Sequence, residues 1–253
     1  MWAEAWLALG SLCLVVAHAA GFEANRAGWF PNVRLISRHS DEALKGYLSK
    51  IANAPFNHDH VGVTTPQQPP AARIVPDGFR VNARRQLLGT GDKVYKRAVQ
   101  GGLRDLDVVN RLSWAQVVVE DPDSRRWKKG MGLLTVAKCY GLIWSANPCR
   151  LVHAHWDKTL PRTVGKGKYS SVGFSTVFGH LMEGEERFSV EFRDQDSTVW
   201  LDLFSVSRGH GILGKLSMPL IRPIQRAFFA EQCRQMLKLV EEEEKEEKGK
   251  ARK

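Results

Sequence analysis

With 253 residues, 43% of them hydrophobic and 25% charged, the chain is long enough to close a core and too apolar to be a disordered protein. Its formal net charge of +10 favours anionic partners without selecting one, and because six Glu face five Lys and Arg from Glu241 onward, the positive excess lies in the body of the chain. Four cysteines with no C-x-x-C spacing exclude a disulfide scaffold and a zinc or dithiol motif, so Cys139, Cys149 and Cys233 read as buried thiols.

Residues 1–40 read as a leader outside the fold. Trp6 to Ala20 is almost wholly apolar and ends in Val-Ala-His-Ala-Ala, small residues in the pattern of a signal-peptidase site, yet it is short for a membrane span. Phe22 to Ser40 then carries Arg26, Arg34 and Arg38 against the single Glu23, the bias of an organelle transit peptide. Together they predict a plastid or secretory destination, with a plain signal peptide or an uncleaved membrane anchor as the alternatives.

Residues 41–75 are expected to hold a short helix and a Pro-rich arm. Leu44, Leu48 and Ile51 recur at helical spacing between Asp41 and Ala52, and three prolines between Thr64 and Ala72 remove donors and fix φ. Residues 76–240 read as the folded domain and 241–253 as a charged tail. Near its start, Asp92 is expected to cap a helix carrying Val94, Tyr95, Ala98 and Val99, closed by Gly101 and Gly102. The period then changes. Ala115 to Val119, Leu133 to Ala137, Cys139 to Trp144, Arg150 to Trp156, Val172 to Phe178, Arg187 to Phe192 and Val199 to Val206 are β-prone runs between turn residues. Phe188, Val190 and Phe192 alternate with Arg187, Ser189 and Glu191, which predicts a strand with one wet face.

From Pro219 to about Glu247, Ile221, Ile224, Phe228, Phe229, Met236, Leu237 and Val240 recur at three- and four-residue steps, with Pro223 placed in the first turn. Strands followed by one long amphipathic helix bury the helix's apolar stripe only if it lies across the sheet. The predicted class is therefore α+β, a curved antiparallel sheet of about six or seven strands gripping a long C-terminal α-helix.

The block Phe174 to Glu191, F-S-T-V-F-G-H-L-M-E-G-E-E-R-F-S-V-E, resembles the G-H-x-x-x-G-E-E-x-F hallmark of the domain-of-unknown-function family nineteen-ninety of plants and bacteria. D-G-F-R-V-N at Asp77, L-G-T-G-D-K-V-Y at Leu88, Trp114, P-C-R-L-V at Pro148, V-W-L-D-L-F-S-V-S at Val199 and P-L-I-R-P-I-Q-R-A-F-F-A at Pro219 follow in the family's order, from about Phe56 to Val240. Phe174 and Ser175 stand where family members commonly carry Tyr and Gly, so that tyrosine hydroxyl is missing. The resemblance implies a START- or SRPBCC-like helix-grip fold with a cavity between sheet and helix, no settled activity, and, through plant relatives, the chloroplast envelope.

Three constellations are candidates for function. His180 with Glu183, Glu185 and Glu186 could supply a general base with an oriented partner, or could simply bond the turn between Gly179 and Gly184. His153 and His155, two apart on a strand, share a side, and a third donor such as His180 would complete a zinc site; no metal or cofactor is assigned from this alone. Arg84-Arg85, Arg125 to Lys129 around Trp127, and Arg162 to Lys168 are basic groups suited to an anionic membrane surface, while no nucleic-acid module is visible. The leading expectation is a binding domain for a small apolar or amphipathic ligand, with Trp114, Trp144, Phe174, Phe188, Trp200, Phe204 and Phe228 as pocket candidates. A membrane-associated or assembly protein and an enzyme built on the His180 cluster are the alternatives.

Overall fold

The computed structural model describes residues 33–66, 75–105, 107–119, 127–161 and 165–250, so the apolar run Trp6 to Ala20 and the cleavage-like site after it lie outside the described residues. Eight strands make one sheet: β1 (Val33–Leu35), β2 (Arg80–Thr90), β3 (Ala115–Val119), β4 (Gly132–Cys139), β5 (Ile143–Thr159), β6 (Gly167–Thr176), β7 (Met182–Arg193) and β8 (Thr198–Gly209). β3 to β8 form an antiparallel meander, β2 returns to pair with β8 at the edge, and β1 pairs with the start of β5. Residues 33–35, expected in the leader, thus belong to the sheet.

Helix α1 (Asp41–Ile51) begins where the Ser40 side chain accepts a hydrogen bond from the Ala43 amide, with Asp41 and Glu42 in the first turn and Lys50 in the last, charges that suit the helix dipole. Leu44, Tyr47, Leu48 and Ile51 are buried against Leu134, Val136, Ala146 and Val177 on the convex face of the sheet. Burying each of these aliphatic side chains contributes roughly 1.5–3 kcal/mol, so α1 is part of the domain rather than an arm before it. Residues 53–66 continue as a strap over the same face, pairing Phe56 with Val177.

Strand β2 carries no apolar alternation because it lies at the sheet edge with most side chains exposed, and the sequence pattern accordingly passed over it. The run Cys139 to Trp144, expected as a strand, is instead the β4–β5 hairpin, whose Tyr140 and Gly141 both take positive φ. After β2 comes α2 (Asp92–Arg97), continued by a π-helical turn (Ala98–Arg104) and α3 (Asp107–Asn110). Asp92 does not cap α2. Gly91 holds that position, and the Asp92 carboxylate bridges Lys96 and Lys168. Gly101 and Gly102 do not close the helix either; they lie inside the π turn, against Leu239 and Met236 of the last helix.

That helix, α4 (Gly211–Lys250), starts eight residues before the expected Pro219 and contains both prolines. Pro219 and Pro223 are exposed, so the carbonyls left without amide donors four residues back can be met by water. The apolar stripe from Phe229 to Val240 packs on the concave face with Leu103, Leu201 and Leu203 in the main core. The acidic run expected as a tail continues the helix backbone to Lys250.

A cavity between sheet and helix

The sheet sorts its side chains by parity. On β7, Met182, Gly184, Glu186 and Phe188 border the space under α4, while Glu183, Glu185, Arg187, Ser189 and Glu191 point to the convex side. The expected alternation is therefore present, but the polar face is not wet: Arg187 and Ser189 are each 2% exposed. The reason is a continuous set of partners. Arg187 pairs with Asp202 on β8 and donates to the Thr64 carbonyl at 3.0 Å, and Arg85 on β2 pairs with Glu191 at 2.6 Å.

The four-residue cluster read from the sequence is split by this parity. Glu185 binds the strap, accepting from the Gly62 amide at 2.6 Å and from the Thr64 amide and hydroxyl at 2.9 and 2.5 Å. Burial pushes its carboxyl above the ordinary range, and these hydrogen bonds offset the shift only in part. Glu183 sits near the start of β7 beside Arg208 and His210; burial would raise its pKa, but the bonds from those two groups outweigh burial and hold it low. His180 lies in the turn before β7, and its Nδ1 accepts from the Met182 amide at 2.9 Å. Burial, with His210 nearby, brings it down to about 3, so the ring is neutral. Glu185→Ala is expected to cost about 2–3 kcal/mol, since it leaves buried donors on the strap unmet, and to expose residues 53–66 to protease. Equal proteolysis rates in the variant and the parent protein would refute that anchoring role.

Only Glu186 turns its carboxyl toward the concave side. It has no hydrogen bond or ion pair among the described residues, and burial pushes it up to about 8. The residue is partly buried and borders the cavity. Ser205 on β8 lies directly across from it, and Phe174 on β6 lies on its other side. Cys149 on β5 borders the same space; burial, then the nearby Glu186, raises its thiol well above the usual range. No hydrogen bond joins Cys149, His180 and Glu186 to one another, so these three do not form a nucleophile–base pair.

The cavity encloses about 250 Å³, just under the ~300 Å³ at which ordinary ligand pockets begin. Leu133, Phe174, Phe188, Leu203, Ile224 and Phe228 give it apolar walls, and Trp114 joins them with its ring edge-on to Phe228 at 5.8 Å. Of the seven aromatic candidates, Trp114, Phe174, Phe188 and Phe228 face this space. The other three do not. Trp144 packs with the α1 cluster, Trp200 lies under Arg85 and Arg193 on the convex face, and Phe204 joins Phe79 there. Gln232 and Ser205 are lining residues that the sequence reading missed; Gln232 interrupts an otherwise apolar stripe, Phe228, Phe229, Cys233 and Met236, and that interruption was the available signal.

His153 and His155 do share a face, with rings stacked at 4.9 Å, but it is the convex face, whereas His180 borders the cavity; the three do not converge, and no group of metal-binding side chains forms among the described residues. Trp127, expected in a basic surface loop, is turned inward, donating to the Leu103 carbonyl at 2.8 Å and packing edge-on against Phe174. Much of its basic neighbourhood, residues 120–126, and the segment 162–164 lie outside the described residues. No described helix is long and apolar enough to cross a membrane.

A curved antiparallel sheet holding one long C-terminal helix, with a mostly apolar cavity between them, defines a helix-grip protein. The model of the family described as Domain of unknown function (DUF1990) matches residues 57–235, and the chain belongs to that family. It is similar to a UPF0548 protein of Arabidopsis thaliana, 26% identical over 80% of this chain and 95% of that one, and to a UPF0548 protein of Deinococcus radiodurans, 29% identical over 60% and 73%. Among solved structures it is similar to norcoclaurine synthase of Thalictrum flavum in complex with a transition-state analogue (TM-score 0.43, 12% identity, 66% of this chain and 96% of that one). A major latex-like protein of Panax ginseng is a further likeness (TM-score 0.39, 13% identity, 63% and 96%).

Proposed function

We propose that the chain is a binding protein that holds a small apolar or amphipathic molecule between α4 and the concave face of the sheet. The observation that carries this reading is the 250 Å³ cavity, whose walls are mostly apolar and hold at Glu186 a carboxyl without a partner among the described residues. A space of that size emptied of contacts loses dispersion energy, about 24 cal/mol per Å³ in measured cavity series, so occupation by an apolar molecule would recover stability. One polar group inside such walls fixes orientation rather than affinity.

Native mass spectrometry of the protein purified from its own host tests the reading. A retained small-molecule mass is expected, and it should vanish in Ser205→Phe, which puts a ring into the cavity next to Glu186. Thermal unfolding of that variant should remain cooperative, so that loss of the adduct reports a filled cavity and not a lost fold. Retention of the same mass by Ser205→Phe would place the molecule elsewhere and overturn the proposal.

A further inference from the structure

Deepening that reading, and resting on it, we propose that the cavity's ligand is an uncharged molecule carrying a carbonyl oxygen, which Glu186 in its protonated form and Ser205 receive as hydrogen-bond donors.

Two polar atoms bordering the cavity are buried without a partner among the described residues: Ser205 Oγ and Gln232 Nε2, in residues each 2% exposed. An amide nitrogen can only donate, and a hydroxyl always has a proton to give. Glu186 is the third polar group without a partner. As cross-strand neighbours on the same face, Glu186 and Ser205 have Cβ atoms roughly 5 Å apart, a spacing at which both side chains can reach one oxygen with two lone pairs. A buried donor left unmet is destabilising, so an acceptor oxygen placed there is favoured beyond the contact area of the rest of the molecule.

Charge decides between ligand classes. No Lys or Arg is among the described residues that line the cavity, so nothing there would neutralise an anionic ligand. A cation would have to pull the proton from Glu186 and would still leave the Gln232 donors unmet. Beside Glu186 stand Phe174 from β6 and Ser205 from β8, with Cys149 from β5 near enough to feel its charge, and α4 contributes Gln225, Phe228 and Gln232 to the same cavity; of these only Cys149 titrates, and its thiol is held protonated by burial. The other titratable residues that border the cavity are Cys139, Tyr140, His180 and Glu185, the last with its carboxyl turned to the strap on the convex side. His180 is neutral, and the Glu185 carboxylate is spent on the strap. Glu186 itself, at about 8, carries its proton at neutral pH.

Three probes of matched shape separate the outcomes: 2-acetylnaphthalene, 2-ethylnaphthalene and 1-(naphthalen-2-yl)ethylamine, titrated calorimetrically into the full chain at about pH 6 and about pH 9.5, on either side of the Glu186 transition. The ketone should bind about tenfold more tightly than the hydrocarbon at the lower pH and lose most of that advantage at the higher one, where the carboxyl is ionised and no longer donates. Its carbonyl stretch should move to lower wavenumber on binding. Glu186→Gln, which keeps donors, should make the preference independent of pH, and Glu186→Leu should abolish the preference while the hydrocarbon still binds. A ketone that binds no better than the hydrocarbon, or an amine that binds best, overturns this assignment and leaves the cavity reading standing. If none of the three probes binds, the cavity reading falls and this one with it.

Discussion

Replacing Glu186 by Gln is expected to stabilise the protein by about 2–4 kcal/mol near pH 8, an unusual direction for a substitution in a protein interior. The folded state keeps a proton on Glu186 up to about pH 8, whereas the unfolded chain releases it near the ordinary value of 4.5. Between those values the native state binds more protons than the unfolded one, so stability falls as pH rises through the interval and levels off above it, once the folded form is ionised too. The full difference corresponds to about 1.4 kcal/mol for each pH unit, which relaxation around a cavity-facing group reduces. His153 and His180 are both brought down to about 3, so the unfolded chain binds more protons there until about one pH unit above the ordinary histidine value of 6.5, a contribution common to the parent and the variant. Urea unfolding at a series of pH values from about 6.5 to 8.5 should show the parent chain losing stability relative to Glu186→Gln as pH rises. Parallel curves for the two proteins would mean that Glu186 is already ionised in the fold, and would remove the basis for its role as a donor.

The same residue shows what could and could not be read from the chain. The alternation Phe188, Val190, Phe192 located the second half of β7, which begins five residues before the expected Arg187, at Met182, and strand parity places Glu186 with Phe188 and apart from Glu185. Grouping four residues by nearness in sequence set that parity aside and joined side chains from opposite faces of the sheet. The aromatic candidates failed for a related reason. On β8 the odd positions Leu201 and Leu203 and the even positions Trp200 and Phe204 are both apolar, because α4 covers one face while Arg85, Arg193 and Phe79 cover the other. With both faces covered, alternation loses its power to say which side is in. The strap was illegible for a different reason. His58 and Thr64 touch Ser175 and Glu185, 117 and 121 residues away, through hydrogen bonds that leave no periodic trace in a polar segment. By contrast α1 and most of α4 were legible, since each buries a single stripe against a single face.

The start of α4 is where a small change should have the other large effect. At Gly209 and Gly214 the end of β8 and the first turn of the helix cross at backbone contact: a methyl group added at Gly209 would sit 2.4 Å from the Gly214 carbonyl carbon, and one added at Gly214 would sit 2.2 Å from the Leu181 carbonyl oxygen. Backbone atoms in that sandwich cannot rotate aside as a side chain can. The His210 amide also donates to the Leu181 carbonyl at 2.9 Å and the Gly214 amide to the His210 carbonyl at 3.0 Å, so the turn is fixed on both sides. Gly214→Ala is therefore expected to lower stability by about 1–3 kcal/mol, the range of overpacked interior sites, by lifting the helix from its seat. Because Leu220, Ile221 and Ile224 border the cavity one to three turns farther on, the same lift should widen the cavity mouth and weaken binding of 2-ethylnaphthalene. Gly46→Ala is the matched control. Gly46 lies in α1 with nothing near its would-be Cβ, and alanine there should stabilise by about 0.5–1 kcal/mol through helix propensity alone. If Gly214→Ala unfolds at the same urea concentration as the parent chain, the helix is not seated on the strand end by close packing, and the cavity's shape must be set from its other walls.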